Sequence, residues 1–99
     1  MVRFSFANFG KDLGTRQLGV KARNALMPLL SKDERVVLDF TGVNVVSNSF
    51  ADECIAKLLM EMSLDELKSK TTFTGLNKIA EACVLTALQR RYMVIKRQS

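Results

Sequence analysis

The stretch from Arg35 to Glu53 constrains the fold most, because its hydrophobic period changes part-way along. It opens on Val36-Val-Leu-Asp-Phe40, turns at Thr41-Gly42, and meets a second apolar pair at Val45 and Val46. A short continuous apolar run bounded by turn residues predicts a strand covered on both faces, in a parallel or mixed sheet backed by helices. That strand is expected to be central. From Ser47-Asn48-Ser49 onward the period is helical, with Phe50, Ala51, Cys54, Ile55, Leu58, Leu59 and Met62 on one side. Asp52, Glu53, Lys57 and Glu61 take the other, so the helix is expected to offer solvent a mostly acidic face.

The rest of the chain alternates in the same way. Val2, Phe4 and Phe6 interleave with Arg3 and Ser5, the pattern of a half-buried strand, and Phe9 to Asp12 reads as a turn. Thr15 is the expected N-cap of a helix whose stripe is Leu18, Ala22, Ala25, Leu26, Leu29 and Leu30, with Pro28 placed to kink or close it. Ser31 to Glu34 forms the loop into the central strand. Beyond the acidic helix, Ser63 and Glu66 match a capping box, Thr71 to Thr74 is β-prone and ends at Gly75, and Asn77 caps a last helix. That helix buries Ile79, Ala80, Cys83, Val84, Ala87 and Leu88; Met93-Val94-Ile95 either extends it or adds an edge strand. The alternation predicts an α/β fold over residues 1–99 as a single domain: a small mixed or parallel sheet of about four strands flanked by helices. Residues 93–99 read as a basic tail or edge extension. In such sheets the carboxyl ends of the strands share one edge, which gathers Gly10–Arg16, Asp39–Gly42, Ser47–Glu53 and Gly75–Asn77.

Composition narrows the function. At 99 residues the chain buries about two thirds of its unfolded surface and needs neither metal nor disulfide to fold. Cys54 and Cys83 fall on apolar stripes, where a thiol acts as a small hydrophobe. With no histidine and no zinc-type cysteine spacing, no transition-metal site is expected. Neither a leader nor a long apolar run is legible, which predicts a cytoplasmic protein away from the membrane. The net charge of +5 is uneven, its excess lying in Arg90, Arg91, Lys96 and Arg97. A nucleic-acid-associated role through these residues is the alternative, although no nucleic-acid motif accompanies them. A nucleophile with its base and a cofactor cradle are both missing from the pattern, so the chain reads as non-enzymatic and without cofactor. Asp39, Asp52 and Glu53 gathering around Mg²⁺ is the remaining catalytic alternative.

The pair of motifs Leu38-Asp39-Phe40-x-Gly42-Val43 and Ser47-x-Ser49-Phe50-Ala51-Asp52-Glu53, preceded by Thr15-Arg16, resembles the bacterial STAS-like domains of unknown function. More distantly it is similar to the STAS domains of anti-sigma-factor antagonists. The resemblance implies a protein-binding switch module that docks through the Ser47 to Met62 turn and helix. It also implies a partner of the histidine-kinase-like ATPase or sensor type, and a phosphorylatable serine at the start of that helix. Ser49 is the positional counterpart and Ser47 the second. Asn48 and Phe50-Ala51 depart from the Asp-Ser-Ser-Gly pattern of the antagonists.

Each candidate has a plainer role beside it. Ser49 is the expected N-cap, accepting from Ala51 or Asp52, and a phosphate there would meet repulsion from Asp52 and Glu53. Asp39 either organises its turn or serves as a site carboxylate. Arg16 pairs with Asp39, Asp52 or Glu53, or else holds a bound phosphate or other anion as a small-ligand sensor. The candidate partner-binding set is therefore Arg16, Asp39, Ser47, Asn48, Ser49, Asp52 and Glu53.

Overall fold

The computed structural model describes residues 1–32 and 34–98; of the loop expected at Ser31 to Glu34, Asp33 lies outside the described residues, as does Ser99 of the tail. Val2–Ser5 (β1), Val36–Asp39 (β3) and Thr71–Thr74 (β5) form a parallel sheet in the order β1-β3-β5. Asp12–Leu13 (β2) and Val45–Val46 (β4) form a second, two-stranded parallel sheet. The helices are α1 (Arg16–Leu30), α2 (Asn48–Phe50), α3 (Leu64–Lys70) and α4 (Lys78–Gln98). The chain is thus α/β, with the Val36–Asp39 strand in the centre as its composition predicts. The strand set differs from the expected four, because Asp12, read as the end of a turn, and Leu13, read as the lead into the first helix, pair with Val45-Val46.

Only one face of the larger sheet is packed, which corrects the expectation of a strand covered on both sides. Register puts Phe4, Leu38 and Phe73 side by side on the inner face, next to Val36 and Thr71. The outer face carries Arg3, Val37 and Thr72, then Ser5, Asp39 and Thr74. On the inner side one apolar cluster joins the sheet to Ala22, Leu26 and Leu30 of α1 and to Val84 and Ala87 of α4. Phe6 lies at its centre, stacked on Phe40 at 4.1 Å and edge-on to Phe50 at 6.2 Å. All three rings are at most 1% exposed, so the start of the central helix is fixed against the end of the central strand.

The caps predicted at Thr15, Ser63 and Asn77 form. Thr15 accepts from Leu18 N–H at 3.1 Å, Ser63 from Glu66 N–H at 3.1 Å and Asn77 from Ala80 N–H at 2.8 Å. Pro28 is followed by only two more helical residues, and the Ser31 hydroxyl donates to the Pro28 carbonyl. Lys70 donates to the Leu30 carbonyl, setting a cation at the negative end of α1. Met93 to Ile95 extend α4, which settles the choice between helix and edge strand.

Candidate functional site

The helix expected to be capped by Ser49 begins two residues earlier and is not uniform. Ser47 is extended, and its hydroxyl accepts from Phe50 N–H at 3.0 Å. Ser47, not Ser49, is therefore the N-cap. The reason is tertiary: burying Phe50 against Phe6 sets the phase of the first turn. Among the described residues the Ser49 hydroxyl has no hydrogen-bond partner. After α2 the backbone widens into a π turn, Ala51–Ile55, and then tightens into a 3-10 segment, Ala56–Met60. Ala56 N–H is shared between the carbonyls of Ala51 and Asp52.

This widened helix runs between α1 and α4, and its acidic side faces them instead of water. Glu53 is only 5% exposed. The α1 residues Arg16, Gly19 and Arg23 lie on one helical face. A Cβ on Gly19 would stand 2.8 Å from that of Glu53, so glycine permits the close approach. Arg23 then donates to the Glu53 carboxylate at 2.7 Å and to its main-chain carbonyl, while Lys57 reaches the carboxylate at 3.0 Å. Arg91 from α4 grips both oxygens of Asp52, at 2.8 and 2.7 Å. Arg16 bridges the two carboxylates, 3.0 Å from Asp52 and 3.4 Å from Glu53. Asp52 and Glu53 are structural ions tying three helices together, and the solvent-facing acidic surface expected of them is not formed.

Burial alone would raise both carboxyl pKa values. The hydrogen bonds and charges of Arg91 and Arg16 on Asp52, and of Lys57 and Arg23 on Glu53, outweigh it and hold both below their ordinary range. The hydrogen bond to Asp52 raises the Arg16 pKa, despite the opposing effect of burial. The neighbouring Cys54 thiol is buried in the core, which pushes its pKa up to about 12 and suits an inert packing residue.

Asp39 stands apart from this network. Its Oδ1 accepts from Thr41 N–H at 2.9 Å, Arg3 lies 3.7 Å away, and the Thr41 hydroxyl and N–H hold its pKa low. It organises the turn, as the plainer expectation had it, and does not meet Arg16. The Mg²⁺ alternative fails on the same geometry, because Asp39 is elsewhere and the other two carboxylates are covered by cations. Among the described residues no group of three or more acidic, cysteine or histidine side chains is placed to hold a metal.

The four strand-end segments do converge. Ser47 N–H donates to the Leu13 carbonyl, Phe40 N–H to the Thr74 carbonyl and Asn77 to the Asn44 carbonyl. A cleft of about 240 Å³ opens where this edge meets α4, lined by Arg16, Asn48, Ser49, Asp52, Thr86 and Arg90. Thr86 was missed from the sequence as a site residue, and Arg90 was singled out only for the nucleic-acid alternative; their spacing of four on α4 was the available signal. The basic cluster is divided, since Arg91 faces inward to Asp52 while Arg90 is exposed and, among the described residues, has no ion pair or hydrogen bond.

Residues 19–80 match the family described as STAS-like domain of unknown function (DUF4325). The chain belongs to that family. Comparison with curated proteins and with solved structures gave no match. The STAS-like span includes Gly19, Arg23 and the whole turn and helix from Ser47 to Met62, whereas Arg16, Arg90 and Arg91 fall outside it. Half of the cations around the Asp52–Glu53 pair are therefore supplied by flanking sequence. No helix among the described residues is long and apolar enough to cross a membrane.

Proposed function

We propose that this STAS-like domain is a non-enzymatic regulatory module that docks on a protein partner through the Ser47 to Met62 turn and helix, with Ser49 as its phosphorylation switch. The observation that carries the reading is the division of labour between two serines. Ser47 is committed to the helix cap, and the half-buried Ser49 hydroxyl is left spare at the mouth of a cleft. The electrostatics favour a phosphate there. Asp52 and Glu53, which would repel it, are matched by Arg16, Arg23, Lys57 and Arg91, and the cleft wall adds Arg90. The docking residues are then Asn48 and Ser49 with the α4 rim, not Asp52 and Glu53. A partner kinase of the histidine-kinase-like ATPase class is the occupant implied by the family resemblance.

Capture from lysate of the native host tests this, with tagged wild type beside Asn48→Lys and Ser49→Asp and intact-mass measurement of the recovered bait. The expected result is a protein recovered with wild type and depleted with either variant, and a wild-type fraction carrying the mass of one phosphate. Equal recovery on all three baits, with no phosphate on any, refutes the docking surface and the switch together. Asp52→Lys or Glu53→Lys is the wrong probe, because either breaks the internal ion network.

A further inference from the structure

We propose that the cleft between α1, the first turn of α2 and α4 is a binding site for the phosphate group of a small phosphomonoester. It shares residues with the docking surface but requires no protein partner. The lining is rich in donors: two guanidinium groups, Arg16 and Arg90, the hydroxyls of Ser49 and Thr86, and the Asn48 amide. Its one carboxylate, Asp52, already has both oxygens held by Arg91 and one by Arg16. Among the described residues, neither the Arg90 guanidinium nor the hydroxyls of Ser49 and Thr86 have a hydrogen-bond partner. A ligand that satisfies unused donors arriving from several directions must be an acceptor on several sides. A phosphate monoester presents three such oxygens and close to two negative charges, whereas a carboxylate presents two oxygens in one plane.

Size restricts the class further. A volume of about 240 Å³ is below the roughly 300–1,000 Å³ of pockets for drug-sized ligands. It corresponds to about eight waters, room for a phosphate and a few attached heavy atoms. Thr86 and Arg90 are one turn apart on α4, so a hydroxyl and a fork of N–H groups reach the same point. A ligand held this way links α4 to α2 across the same gap that Arg91 and Asp52 already span.

The test is an amide-resolved NMR titration of the full chain with inorganic phosphate and with glycerol 3-phosphate, against sodium chloride at matched ionic strength. Saturable shifts at Asn48, Ser49, Thr86 and Arg90 are expected with both phosphates and not with chloride. Arg90→Gln is expected to weaken binding by about tenfold or more, the loss of a charge-assisted contact. Arg97→Gln, two turns further along the same helix, should bind as wild type, and both variants should keep the wild-type spectrum elsewhere. Shifts that match chloride, or an Arg90→Gln variant that titrates like wild type, overturn the site. Phosphate binding without partner capture would sink the docking reading alone, and capture without phosphate binding would sink this one alone.

Discussion

Glu53→Gln is the substitution that most directly tests the ion network. The side chain keeps its shape and loses its charge at a position 5% exposed, leaving Arg23 and Lys57 crowded together without their carboxylate. Breaking a fully buried pair costs about 3–5 kcal/mol. Here the partner side chains are 22% and 32% exposed and can turn partly to water, and Arg16 keeps Asp52. The expected loss is therefore about 2–3 kcal/mol, against a total near 5–15 kcal/mol for a domain of this size. With a urea slope of roughly 1–3 kcal/mol/M, equilibrium unfolding followed by circular dichroism should show the midpoint fall by about 1–2 M. Glu61→Gln, an exposed acid at the C-terminal cap of the following 3-10 segment, is the control and should stay within about 0.5 kcal/mol of wild type. If Glu53→Gln behaves like Glu61→Gln, the carboxylate is not holding the helices and the reasoning is wrong.

The remaining predictions use the same assay. Ser47→Ala should destabilise by about 1 kcal/mol, as loss of an N-cap does, while Ser49→Ala should lie within about 0.5 kcal/mol of wild type; the reverse order would return the cap to Ser49. Gly75 has φ +76°, and a Cβ there would lie 2.5 Å from Thr41 N and Oγ1, so Gly75→Ala should cost about 2–4 kcal/mol. Gly14→Ala, with nothing near its Cβ, should cost far less, and equal losses would contradict the packing. Asp52 and Glu53 have folded pKa values below their ordinary 3.8 and 4.5, so the unfolded chain binds protons first. Their contribution should be whole above about pH 4.5 and fade as pH falls through the depressed values; stability that rises on acidification from pH 5 to 3 would contradict this.

The sequence carried the elements because their signals are local. The apolar run Val36–Phe40, the caps at Thr15, Ser63 and Asn77, and the helical period after Ser47 all depend on neighbours within a few residues. The family motifs Leu38-Asp39-Phe40-x-Gly42-Val43 and Ser47-x-Ser49-Phe50 were equally plain. What misled was the helical wheel of residues 50–62, which put Asp52 and Glu53 outside. A wheel reports which side is apolar, and it does not report that α1 and α4 flank the other side with arginines.

Residue order alone thus determined an α/β chain with its central strand at Val36–Asp39 and a serine-rich turn leading into its most buried helix. Tertiary structure decided which serine is the cap, because the buried phase of Phe50 chooses Ser47. It also decided that Glu53 is internal, because Gly19 lets α1 close on it and Arg23 and Lys57 compensate its desolvation. Charges separated by thirty or more positions have no signature in local sequence. Only the packing that brings Arg16, Asp52 and Arg91 together turns three surface-like residues into one ion-paired joint between helices.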